Sequence, residues 1–213
     1  MKKFVIIALF ILLTGVTSFS QTKKTPVKTS AIIPIKESSE ISEIEWNEIA
    51  KTLEAENWSK SALLSSIALK KLKTENDKKQ LASLRYFYLY SLAGKVQTKT
   101  ATFAEFDKIS QAFIGKEFLM PSRQILTDCT EKVNYICAVK NDVLSLRVTA
   151  TNKTATSILF FEYLQLDAPF DFSANNEKKA FLGGKLLKIE SDLKNNMRII
   201  RLFFEEGNVE ITK

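Results

Sequence analysis

Val143-Leu144-Ser145-Leu146-Arg147-Val148-Thr149-Ala150-Thr151 decides how the second half of this chain is read. Leu144, Leu146 and Val148 alternate with Ser145 and Arg147, the period of a strand with one buried and one wet face. Before it stand Asn141-Asp142, a two-residue turn suited to positive φ, and another strand-like run from Val133 to Lys140. After it the pattern repeats. Asn152-Lys153-Thr154 reads as a turn, Ser157 to Leu166 is rich in β-branched and aromatic residues, and Asp167 to Lys179 is a polar loop. Phe181 to Glu190, Met197 to Phe204 and Val209 to Thr212 follow as strands, with turns at Lys194-Asn195-Asn196 and Gly207-Asn208. About six short strands in this span predict a small antiparallel β-barrel or sandwich over residues 118–213.

Upstream of Met120-Pro121 the period changes to that of a helix. Ser42-x-x-Glu45 is a capping box with Ile41 at the staple position, and Ile44, Trp46, Ile49 and Leu53 continue an apolar stripe. Asn57 ends that helix. A second runs from Ser59 to Lys73, with Lys70, Lys71 and Lys73 where cations complement the macrodipole. After the polar run Thr74–Asp77, a third carries Leu81, Leu84, Tyr88 and Leu92 on one face, and Gly94 is placed to end it. Thr102-x-x-Glu105 is a second capping box, opening a short amphipathic helix stopped by Gly115. Residues 41–117 are thus expected to form a helical domain of about four helices, making the chain α+β.

Part of this resembles a tetratricopeptide-type repeat. Trp46 followed by Ile49-Ala50, then Ala62 sixteen residues after the Trp, is similar to that motif's large-and-small pattern, and the third helix begins about 34 residues after the first. The likeness covers about residues 42–113; Ser66 and Leu69 depart from the motif, and a plain four-helix packing unit is the alternative. An oligonucleotide/oligosaccharide-binding type barrel is one form open to the β domain.

The N-terminus reads as an export signal over residues 1–20: Met1-Lys2-Lys3, an apolar run from Phe4 to Leu13, and a small-x-small cleavage site at Ser18-Phe19-Ser20. That run is too short to cross a bilayer, and no Cys follows it to carry a lipid anchor. Gln21 is the expected first mature residue of a periplasmic or secreted protein, and residues 21–40 read as a flexible tail or linker. The formal charge is +7, but six of the 31 basic residues fall within residues 1–36, which hold no acid. From Glu37 onward 25 basic residues therefore face 24 acidic ones. A nucleic-acid binder needs its excess charge on the folded face, so nucleic acid is not an expected partner. Cys129 and Cys137, even in number in an exported chain, are expected to pair.

The sequence holds no histidine, which excludes Ser-His-Asp and Cys-His catalysis and the usual zinc sites. Ser191-Asp192-Leu193-Lys194 has the Ser-x-x-Lys spacing of penicillin-recognising enzymes but no Lys-Thr-Gly partner. Gly183-Gly184 is an isolated pair rather than a phosphate loop. Asp128, Glu131, Glu162, Asp167 and Asp171 are the carboxylates available to a hydrolase, with no spacing that selects a pair. Asp167 to Glu177 lacks the alternating acids of a calcium loop. No cofactor or metal is expected.

Aromatic clusters carry the remaining signal. Tyr86, Phe87 and Tyr90 are candidates for an exposed partner-binding platform, and Phe160, Tyr163 and Phe203 for a ligand-binding surface. The packing alternative is that these rings glue helices to strands. The leading expectation is a non-enzymatic adaptor that engages an envelope protein through its helices. A glycan or small-ligand module using the β domain is the second reading, and a carboxylate-only hydrolase the third. An adaptor should expose apolar residues on its helices, a ligand binder should show an aromatic-lined pocket, and a hydrolase should show two facing carboxyl groups.

Overall fold

The computed structural model describes residues 41–72, 78–130, 132–139, 142–194 and 197–212, all within one compact unit. The expected signal and tail, the connection Thr74–Asp77, Glu131, Asn141 and the turn residues Asn195 and Asn196 lie outside the described residues.

Four helices come first: α1 (Glu43–Glu54), α2 (Trp58–Lys71), α3 (Lys78–Gln97) and α4 (Phe103–Ser110). Both expected capping boxes form. The Ser42 hydroxyl accepts from the Glu45 amide while the Glu45 carboxylate accepts from the Ser42 amide, and Thr102 with Glu105 repeats the exchange at α4. Each such cap is worth about 1 kcal/mol. Asn57 both separates and starts helices, since its side chain accepts from the Lys60 amide at 3.2 Å to cap α2. Small residues on α2 (Ser61, Ala62, Ser65, Ala68) are buried and let it approach α3 closely, with Ser61 and Ser91 hydroxyls 2.7 Å apart.

Helix α3 departs from the sequence reading in two ways. Gly94 does not end it, because the helix runs one more turn to Gln97. The glycine is required by approach: a Cβ there would lie 2.3 Å from the Trp58 indole, which packs flat on the helix backbone. Nor does α3 have a single apolar face. Leu84, Tyr86, Leu89, Leu92 and Ala93 are all buried, because α2 packs on one side and strands on the other.

Seven strands follow: β1 (Glu117–Leu119), β2 (Arg123–Leu126), β3 (Ile136–Val139), β4 (Asp142–Thr151), β5 (Ile158–Leu166), β6 (Lys179–Lys194) and β7 (Met197–Ile211). Their order is β1-β6-β2-β3-β4-β5-β7, and β7 pairs back onto β6, so the sheet curls into a near-barrel ring. β1 and β2 lie end to end along one edge of β6, opposite Gly183–Lys185 and Lys179–Ala180.

The expected purely antiparallel sheet is corrected to a mixed one: β2–β3 and β5–β7 are parallel. Turn chemistry reports only hairpins between consecutive strands. Here β6 is the return strand that brings β7 up beside β5, and β2–β3 is a two-pair contact whose connection is tied by a disulfide. The Gly207-Asn208 turn is corrected too, since β7 runs through it. A Cβ at Gly207 would lie 2.6 Å from the Gln165 carbonyl oxygen, where the β5–β7 register shifts, so this glycine marks a close strand approach.

One hydrophobic core joins the two halves, including Trp58, Tyr86, Leu89 and Phe106 from the helices with Ile125, Leu146, Phe160, Leu202 and Phe204 from the ring. A satellite cluster of Ile41, Ile49, Ala68, Leu72 and Leu84 binds α1 to α2 and α3.

Candidate functional site

Alternation along β5 points Phe160, Glu162 and Leu164 to the core, so a carboxylate enters an apolar interior by strand parity alone. It does not stand there unpaired. Arg123, from β2, donates one guanidinium nitrogen to Glu162 Oε2 at 2.5 Å and the other to Oε1 at 3.2 Å. The second nitrogen also donates to the Tyr86 hydroxyl, and that hydroxyl donates to Glu162 Oε1 at 2.7 Å. Glu162 is fully buried and Arg123 is 9% exposed. Burial pushes the Tyr86 phenol well above its ordinary value. Burial alone would lower Arg123, but Glu162 and Tyr86 outweigh it and hold the guanidinium above its usual range. Strands three places apart in the ring and the central helix thus meet in one buried network.

That network fixes the fate of the first predicted cluster. Tyr86 is 1% exposed and is an internal residue, so the expected partner-binding platform is corrected for this position. Tyr90 stacks on Tyr86, packs edge-on to Trp58 and Phe160, and donates its hydroxyl to the Thr151 carbonyl at 2.5 Å. Phe87 turns the other way and is half-buried against Trp46. Tyr86 and Tyr90 join α3 to the strands, in line with the packing alternative, while Phe87 joins α3 to α1. Their orientation follows from consecutive helix positions pointing about 100° apart.

The second predicted cluster separates. Phe160 is fully buried against Tyr86 and Tyr90. Tyr163 and Phe203 come together on the outer surface of the ring as cross-strand neighbours, with centroids 5.1 Å apart and planes 15° from parallel. Rings lying flat on a sheet cannot approach so closely, so both stand on edge. Lys188 covers the far face of Phe203 at 4.5 Å, and Arg147 is the register neighbour of Tyr163 on β4. The pair is an aromatic ladder capped at its Phe203 end by Lys188.

A shallow groove of about 210 Å³ lies elsewhere, between the start of α3 and the strands β1, β6 and β7. Its charges include Lys79 bound to Glu210 at 3.2 Å and Lys185 bound to Glu206 at 3.0 Å. In the Asp167–Glu177 loop, Asp171 accepts from the Ala174 amide at 2.9 Å, while Phe172 anchors the turn in the core. Ser191 sits mid-strand and accepts from Arg198 across the hairpin at 3.4 Å. Among the described residues no group of three or more His, Cys, Asp or Glu is placed to hold a metal ion. Cys129 and Cys137 are disulfide-bonded, with Cα atoms 5.9 Å apart.

The first two helices also expose large apolar side chains. Ile44 on α1 is 80% exposed, and Leu63 and Ile67, one turn apart on α2, are 59% and 43% exposed. All three lie on faces turned away from the buried stripes of their helices. Ion pairs Lys60–Glu48 and Lys71–Glu45 hold α1 against α2, so the hairpin presents these side chains from a fixed frame. Ile44, read in the sequence as part of the α1 apolar stripe, is therefore solvent-facing.

Among the described residues no helix is long and apolar enough to cross a membrane. Comparison of the chain with protein-family models, with curated proteins and with solved structures finds no match.

Proposed function

We propose that this is an exported, non-enzymatic binding protein of the bacterial cell envelope that engages a protein partner through the outer face of the α1–α2 hairpin. The observation that carries the reading is the outward exposure of Ile44, Leu63 and Ile67 on two helices whose opposite faces are already committed to the core. Large aliphatic side chains on a rigid helical pair suit a partner helix or extended segment. The tetratricopeptide-like pattern of Trp46 and Ala62 belongs to this same hairpin, and helical hairpins of that kind serve as docking surfaces. A non-catalytic role is supported by Glu162, the one fully buried carboxylate among the described residues, whose oxygens are taken up by Arg123 and Tyr86. The disulfide fits an oxidising compartment, in keeping with export. The glycan or small-ligand alternative loses its main support with Phe160 buried and Tyr163–Phe203 standing on edge.

The test is capture from an envelope extract of the source cell, with wild type beside Leu63→Ser/Ile67→Ser. Both positions are exposed, so the variant keeps its thermal unfolding profile. A stoichiometric protein retained by wild type and lost by the variant is the expected result. Equal retention by both, or none by either, overturns the proposal.

A further inference from the structure

The outer part of the β6–β7 hairpin has one covered edge and one open edge. On β7, Gln97 donates to the Arg198 carbonyl at 3.4 Å and the Arg198 guanidinium lies 4.6 Å over the Phe103 ring, so helices close that side. On β6, pairing with β1 stops at Lys185, and the Gly115–Lys116 backbone closes Leu186. Beyond it, among the described residues, no strand pairs with the outer edge of Leu187–Leu193.

The polarity of that edge follows from Arg198. Its carbonyl points away from β6, and it is the register partner of Leu193, so Leu193 also turns its backbone groups away from β7. Alternation then turns the N–H and C=O of Ser191 and Ile189 to the open side. An unpaired edge of this length is a template for another strand.

We propose that a second copy of this chain occupies it, β6 against β6 in antiparallel register centred on Glu190. In that register Lys188 of each chain faces Asp192 of the other, and Ile189 of each exchanges backbone hydrogen bonds with Ser191 of the other. Leu193, 64% exposed, comes level with Leu187 of the second copy, 47% exposed. Glu190 meets its own copy at the axis, each already held by Lys188 of its own chain at 2.6 Å. Asp192 keeps its bond from Arg201. Moving the register two residues toward the hairpin tip sets Glu190 against Asp192, like against like. Moving it two the other way asks Leu193 to pair with Lys185, which β1 already holds. Self-complementary charge, open backbone groups and exposed leucines select one occupant and one register.

Sedimentation velocity of the chain, as the expressing cell processes and exports it, tests this from low to hundreds of micromolar. A monomer–dimer equilibrium is expected. Ser191→Pro removes a donor that only the dimer uses, on an edge position where proline is tolerated, and should abolish dimerisation with the thermal midpoint unchanged. Lys188→Asp and Asp192→Lys should each raise the dimer Kd roughly tenfold, and the double exchange should restore it, since each interface contains the pair twice. A monomer at every concentration overturns the proposal, as does a dimer indifferent to Ser191→Pro. If that variant fails to fold, the charge exchange decides: singles without effect, or a double that does not recover, also overturn it.

Discussion

Replacing Glu162 by Leu is the perturbation from which the buried network has most to lose. Arg123 would be left with an uncompensated positive charge at 9% exposure, because a guanidinium is too basic to escape the penalty by giving up its proton. Breaking one side of a buried ion pair costs about 3–5 kcal/mol, a large share of the roughly 5–15 kcal/mol that holds a domain together. Tyr86→Phe should cost less, about 1.5–3 kcal/mol, since it deletes bonds to two charged partners that still hold each other. The double variant Arg123→Met/Glu162→Leu removes both charges and should cost only about 1–3 kcal/mol, for the buried Tyr86 hydroxyl that it strips of these partners. Arg123→Met alone strands the Glu162 carboxylate at a cost of about 3–5 kcal/mol as well, so the two single losses are strongly non-additive, with a coupling of at least about 3 kcal/mol. Urea unfolding followed by Trp46 and Trp58 fluorescence, at constant m, measures each corner of this cycle. A Glu162→Leu cost below about 1 kcal/mol, or single costs that simply add in the double variant, would refute the reasoning.

Burial holds the Tyr90 phenol at about 12, above its ordinary value of 10.0. The folded chain thus keeps a proton that the unfolded chain releases, so this stability is whole below about pH 10 and drains as pH rises toward 12. Urea midpoints at stepped alkaline pH should fall by about 1.4 kcal/mol per unit from this group, and Tyr90→Phe should flatten that slope. Gly94→Ala would gain about 1 kcal/mol of helix propensity, yet its Cβ meets the Trp58 indole, so a net loss of about 1–2 kcal/mol is expected in thermal denaturation. Trp58→Leu should turn the same change from harmful to favourable. Cys129→Ser/Cys137→Ser opens a loop of separation 8 and should cost about 2.5 kcal/mol by loop entropy, with reductant reproducing the loss in wild type only.

Much of the architecture was legible because its signals are local. Ser42/Glu45 and Thr102/Glu105 are capping boxes in the sequence and in the structure, and the alternation of Leu144, Leu146 and Val148 gives the buried face of β4. What escaped depends on partners distant in the chain. β1 and β2 are three and four residues long and owe their existence to β6, some sixty residues onward, so no periodicity marks them. Arg123 went unnoticed for that reason. Glu162 left a usable trace: between Phe160 and Leu164 it holds an inward parity position, and a carboxylate there implies a buried cation. Leu63 and Ile67 are the opposite case, large apolar residues of α2 that face solvent. Apolar residues on α2 point both ways, and it is Ser61 and Ser65 that face α3.

The ring closes through its last two strands, and this orders events in time. β1 finds its strand partner, and β2 its antiparallel one, only when β6 is present, and β5 is completed only by β7, which ends at Ile211. A chain synthesised or threaded from its N-terminus can shape its helical hairpins early, but the core beneath α3 stays open to water until the final hairpin arrives. Closure is therefore a late step, gated by the β6–β7 hairpin. Removal of β7 would leave an unsealed core and bare edges on β5 and β6, open to proteases.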